Sequence, residues 1–183
     1  VSVCRRVGLV VAVAVVGGLL AVSGGFVGVA VATDTAPECS TVSYTQNGSE
    51  WNEVENVSQL QCIGANGLSE DYVLIGDIDA SGTNQWNGGA GFDPIGEYDS
   101  TPSADVEFTG RFDGDGHVIS GLYIDRITEN YVGLFGVVEG SDAVIEDVGL
   151  ENADVRGSLY VGGLVGVNEG ATVRKSYATG GLE

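Results

Sequence analysis

Basic side chains are scarce in this 183-residue sequence, which has one lysine, Lys175, and one histidine, His117. The 7 lysines and arginines face 26 aspartates and glutamates, for a net charge of -19. Arg5 and Arg6 fall in an N-terminal stretch without acids, so five basic residues answer all 26 acids over the remainder, a balance of -21. A surface of that sign repels nucleic acid and anionic lipid, and no nucleic-acid partner is expected. It also repels itself until salt screens it, and near 1 M salt the screening length is only about 3 Å. Many carboxylates with almost no lysine read as adaptation to high salt, as in a salt-loving archaeon. A single histidine excludes a multi-histidine zinc site. It also leaves any Ser–His–acid triad one base, and no Gly-x-Ser-x-Gly nucleophile motif accompanies it. His117 reads as a strand-start residue. No cofactor and no catalytic residue is expected, and the chain reads as non-enzymatic.

Charge is absent from Val7 to Ala32, an apolar run that follows Arg5-Arg6 and ends in Ala30-Val31-Ala32. A basic start, an apolar stretch and a small-x-small ending predict a signal peptide over 1–32, cleaved before Thr33. The alternative is an uncleaved apolar export helix acting as an N-terminal membrane anchor, since about 20 apolar residues span a bilayer. That segment is the only membrane contact expected. The paired arginines match a twin-arginine signal in part, with Cys4 and Gly8 off its pattern. Beyond the leader only Cys39 and Cys62 remain, an exported pair able to form a disulfide.

Residues 33–65 read as a polar tether and an N-terminal cap. Trp51, Val54, Val57 and Leu60 stand three apart, which predicts a short capping helix from Ser49 to Ile63 with Ser49 as its N-cap. Over 66–183 the pattern changes to short apolar strands between glycine and aspartate turns. They are expected at 72–79, 108–112, 117–124, 131–138, 143–150, 160–167 and 171–178. Residues 80–104 read as a long loop.

The strands repeat. Gly133-Leu134-Phe135-Gly136-Val137 returns as Gly163-Leu164-Val165-Gly166-Val167. A period near thirty residues signals a solenoid. The expected fold is all-β, a parallel β-helix (β-solenoid) in which successive windings stack about 4.8 Å apart. Each winding then buries its apolar face only against its neighbours, and glycines supply the positive-φ corners.

Tyr160-Val-Gly-Gly-Leu-Val-Gly-Val-Asn-Glu-Gly170, continuing to Ser176-Tyr-Ala-Thr-Gly180, resembles the GLUG repeat, named for Gly-Leu-any-Gly. The copy at Gly133, Leu134 and Gly136 matches the core of that motif without the Ser-Tyr-Ala-Thr tail. Residues 108–122 resemble the lead-in to such repeats. Lys175 stands where the family usually has asparagine, so a polar ladder at that corner is expected to be interrupted. The array is expected to be incomplete at its C-terminus. The resemblance implies an exported, non-catalytic surface module, adhesin-like, stalk or envelope component, and names no ligand; the partner expected of such a module is a surface glycan or protein. It is also compatible with a polysaccharide-acting enzyme, using Trp86 and Phe92 as stacked aromatics, or with an accessory region of a larger secreted protease.

Two smaller features stand outside this scheme. Asp113-Gly-Asp115-Gly116 places alternating carboxylates on a turn, as a calcium loop does, but without the six to eight oxygens calcium needs, so a solvated corner is expected. Asn47-Gly-Ser49 and Asn56-Val-Ser58 are glycosylation sequons.

Overall fold

The computed structural model divides the chain into two units, 1–32 and 33–183. It describes residues 35–46, 48, 50–98 and 106–183. The expected signal or anchor, the sequon at Asn47 and the proposed cap Ser49 lie outside the described residues.

The described elements are mostly short strands. In chain order they are β1 (Asn52–Val54), α1 (Val57–Gln61), α2 (Ile63–Asn66), β2 (Tyr72–Leu74), β3 (Ile78–Asp79), β4 (Arg111–Asp113), β5 (Val118–Ser120), β6 (Tyr123–Asp125), β7 (Asn130–Val132), β8 (Phe135–Glu139), β9 (Val144–Glu146), β10 (Gly149–Arg156), β11 (Leu159–Val161), β12 (Val165–Glu169), β13 (Thr172–Arg174) and β14 (Tyr177–Leu182). One sheet runs β1-β2-β4-β9-β13, a second β14-β10-β5-β3 with β6 beside β10, and β11-β7 and β12-β8 form two pairs. All of these pairings are parallel, and each joins segments that succeed one another along the chain. The two Gly-Leu-x-Gly copies lie side by side, with Val165 opposite Phe135 and Val167 opposite Val137.

Six of the seven strands expected from sequence are broken into two; 108–112 holds the single strand β4. Residues 117–124 become β5 and β6, bent at Gly121, whose φ of 71° is open to glycine without steric penalty. Residues 143–150 break at Asp147 (φ 51°) and 171–178 at Lys175 (φ 51°), two L-residues stacked at one corner. Apolar alternation runs unbroken through these corners, so it cannot mark them; a single left-handed residue does.

The core is apolar and aromatic. Phe135 packs against Phe108 (4.9 Å between ring centroids) and Phe112 (5.3 Å), and Tyr72 sits between Phe108 and Tyr44. Ile119, Leu122, Ile124, Ile145 and Leu150 are fully buried around them.

The N-terminal region differs from expectation. Asn52–Val54 is a strand, with Asn52 paired to Tyr72 of β2, and the helix begins only at Val57. Asn56 is its N-cap: its side-chain oxygen accepts from the Gln59 N–H at 3.0 Å. Threefold apolar spacing over Trp51–Leu60 fits a strand followed by a helix as well as it fits one helix, and the helix starts where the Asn56 side chain reaches that N–H. The stretch read as a tether is tied down by the Cys39–Cys62 disulfide and by Tyr44, whose ring lies edge-on to Tyr72 and whose hydroxyl donates to the Gln59 carbonyl.

Residues 80–98 hold more structure than a loop. 3-10 turns fall within Ser81–Gly89, interrupted by non-helical backbone at Trp86, Asn87 and Gly88, and Trp86, Phe92 and Ile95 are buried. Ile95 bridges Phe135 and Phe108 bridges Val138, both parallel, so the two residues stand beside β8 as an interrupted strand. The Glu97 N–H donates to the Val106 carbonyl at 2.7 Å and closes the neck of the interruption.

Candidate functional site

The Gly-Leu-x-Gly segments position a row of tyrosines. Tyr131 and Tyr160 precede the two copies, both with left-handed backbones (φ 62° and 59°). Such a conformation costs a non-glycine residue roughly 1–2 kcal/mol, so the surroundings must impose it. The motif glycines do so by proximity. A Cβ on Gly136 would lie 2.3 Å from the Gly96 carbonyl oxygen and 2.8 Å from that of Tyr131. A Cβ on Gly166 would lie 2.8 Å from the Gly136 oxygen and 2.9 Å from that of Tyr160. Gly133 and Gly163 are equally confined, against the Gly162 oxygen (2.9 Å) and the Ala178 side chain (2.8 Å). None of these four adopts positive φ; the glycines that do, such as Gly121, Gly140 and Gly170, lie outside the motif. The motif glycines let neighbouring backbones touch, and the tyrosines turn the corner. Leu134 is fully buried and Leu164 partly buried against the core.

The result is a stack. The Tyr131 and Tyr160 rings are parallel (1° apart) with centroids 5.0 Å apart, and Tyr98 lies on the other side of Tyr131 at 4.9 Å. Burial and the neighbouring Tyr160 and Tyr98 raise the Tyr131 phenol. Tyr98 and Tyr160 remain about half exposed (49% and 58%).

Beside this stack lies a groove of about 330 Å³, lined by Asp93, Pro94, Glu97, Tyr98, Glu129, Asn130 and Tyr131 among others. Arg126 ties two of these lining residues together: its Nη2 meets Asp93 Oδ1 at 2.9 Å and its Nη1 meets Glu129 Oε2 at 3.0 Å. Its Nε donates to the Phe92 carbonyl. Burial raises the Asp93 carboxyl, while Arg126 pulls it down. Asp93 and Glu129 thus share one guanidinium. Trp86 and Phe92, the aromatics expected to line a glycan groove, are in the core instead.

The other singled-out residues lie apart from the groove. Asp113 accepts from the Asp115 N–H at 2.8 Å and closes its own turn. Among the described residues no three His, Cys, Asp or Glu side chains converge as a metal site requires. His117 Nδ1 is 3.3 Å from Asp77, whose carboxyl is lowered by hydrogen bonds from the Val118 N–H and from His117. Asn56 is exposed, but its Nδ2 donates to Gln59 at 3.3 Å besides its cap. At the Asp147/Lys175 corner the polar ladder becomes an ion pair of 3.2 Å. Sequence reading missed Tyr98, Tyr131, Tyr160, Glu129 and Asn130. The recurrence of Tyr-Val-Gly at 131 and 160 was the available signal for two of them.

Residues 157–182, which hold β11 to β14, match the family model described as the GLUG motif. The chain carries the GLUG motif. It is similar to halomucin of Haloquadratum walsbyi, 41% identical over 146 residues, or 76% of this chain and 2% of that protein. It is 34% identical over 122 residues (64% of this chain) to a chain of Evansella cellulosilytica described as a Gly-rich membrane protein, of which it covers 13%. This GLUG chain therefore spans only a small fraction of the length of these relatives. No solved structure matches it.

Proposed function

We propose that this chain is an exported, non-catalytic cell-surface module of a salt-loving archaeon, built as a parallel β-solenoid of GLUG windings with α1 and α2 covering its N-terminal end. The observation that carries the reading is the in-register parallel pairing of the Gly-Leu-x-Gly segments, each roughly thirty residues beyond the last. Such stacking yields an extended scaffold stabilised between neighbours, which suits a stalk or envelope component. Likeness to halomucin from Haloquadratum walsbyi and to a chain described as a membrane protein supports a surface location. Charge supports the saline setting: each of the five Arg and Lys residues among the described residues pairs with acids, leaving the other carboxylates to water and ions. Its partner is a glycan or protein of the surface.

Expression of the whole chain in a haloarchaeal host, followed by a non-specific protease on intact cells, tests this. The product should be degraded outside the cell, and a version lacking residues 1–32 should survive inside. Protection of the whole chain in intact cells would remove the proposal.

A further inference from the structure

The groove beside the tyrosine stack carries more polar chemistry than stacked strands need. Three carboxylates, Asp93, Glu97 and Glu129, and the Asn130 amide open onto about 330 Å³ of space, within the range of small-ligand sites. Arg126, whose side chain is only 11% exposed, pairs with both Asp93 and Glu129 and offsets one of their two charges. A carboxylate has about four lone-pair sites. The guanidinium leaves some of these on each carboxylate free, with half of their joint charge offset. Such oxygens can accept from hydroxyl groups. Asn130 is exposed, and its side chain has no hydrogen-bond partner among the described residues. Its amide both donates and accepts, as a hydroxyl does.

The apolar side of the groove is Pro94 with Tyr98 and Tyr131. Tyr98 stacks on Tyr131 through one face and is 49% exposed. A half-exposed ring beside hydrogen-bond acceptors matches a pyranose, which has C–H faces and a hydroxyl rim. Salt favours the same ligand class. At molar salt a charge felt beyond about 3 Å is screened, whereas stacking and hydrogen bonds act within contact distance. We infer that this groove binds a neutral saccharide, its C–H face on Tyr98 and its hydroxyls on Asn130, Glu97 and the Arg126-bound carboxylates. The inference rests on the groove alone and not on where the chain resides.

Calorimetric titration of the full chain, at low and at molar KCl, tests it with neutral α- and β-linked hexose oligosaccharides and with tetramethylammonium as a cationic probe. At least one oligosaccharide should bind saturably with little dependence on salt. Tyr98→Ala and Asn130→Ala should each weaken binding roughly tenfold, while Tyr177→Ala, on β14, should leave it unchanged. Both groove positions are exposed, so circular dichroism should report an intact fold in either variant. Absence of binding by every oligosaccharide overturns the inference. So does binding that neither groove variant alters, or binding of tetramethylammonium alone that salt abolishes.

Discussion

At the scale of single residues, the motif glycines act through the atoms they admit. Gly136→Ala would place a methyl 2.3 Å from the Gly96 oxygen, a clash with backbone that no rotamer relieves. Overpacking of this kind typically destabilises by about 1–3 kcal/mol. Gly181→Ala meets nothing within 4 Å and should change stability by no more than about 0.5 kcal/mol. Denaturant unfolding of the two variants in the same salt separates them, and equal stabilities would contradict the close-approach account. Tyr72 supplies a second test. Burial raises its phenol to about 12, with Asn66 opposing and Glu70 adding a little, and burial raises Tyr44 further. A phenol whose folded pKa exceeds its unfolded value of about 10 favours the fold while protonated. That contribution is whole below pH 10 and is lost as pH rises towards 12 and beyond. Stability should therefore fall through this window, and Tyr72→Phe should flatten the fall even though it removes hydrogen bonds to Gly67 and Asn66. A pH profile unchanged by Tyr72→Phe would exclude Tyr72 as its source.

At the scale of elements, the N-terminal segment is held by few bonds, and the disulfide is one of them. Cys39 and Cys62 lie 23 residues apart, a loop whose closure is worth about 3 kcal/mol in the chain-entropy account. Cys62 is 1% exposed, at the junction of α1 and α2. Reduction, or Cys39→Ser with Cys62→Ser, should lower the melting temperature. It should also speed proteolysis around Tyr44 before the strands from β4 onward are cut, which limited digestion with mass spectrometry would read. Simultaneous cleavage throughout would mean that the segment and the strands unfold as one. These elements also show how far sequence carried. The apolar alternation located most of the strands from Tyr72 onward, though not the far ends of β10 and β14, and every one of its regions except 108–112 is a pair of strands about a corner. Alternation follows which side chains point inward, and it is blind to a single backbone reversal at Asp147 or Lys175.

At the scale of the whole molecule, charge dominates. Glu139 and Glu169 stand opposite one another in register, and like charges so placed are destabilising. The described cations are already engaged: Glu146 lies between Arg111 and Arg174, and Arg156 reaches Asp154 and Glu183. Little positive charge is left to relieve a net of -19, so relief must come from dissolved ions. The melting temperature should rise steeply with KCl and level off near molar salt, where the screening length approaches about 3 Å. Insensitivity to salt would show that self-repulsion is not what limits stability.

The sequence by itself determined the sign and size of the charge, the all-β character and the recurrence near thirty residues, because these are sums and periods along the chain. Only the tertiary structure decided where the corners fall, that Trp86 and Phe92 turn into the core, and that Tyr98 joins Tyr131 and Tyr160. Tyr98 belongs to no repeat of the sequence. It reaches the stack because Ile95 lies beside Phe135 of β8, and contacts made by stacking follow the register between strands, which residues distant along the chain set together.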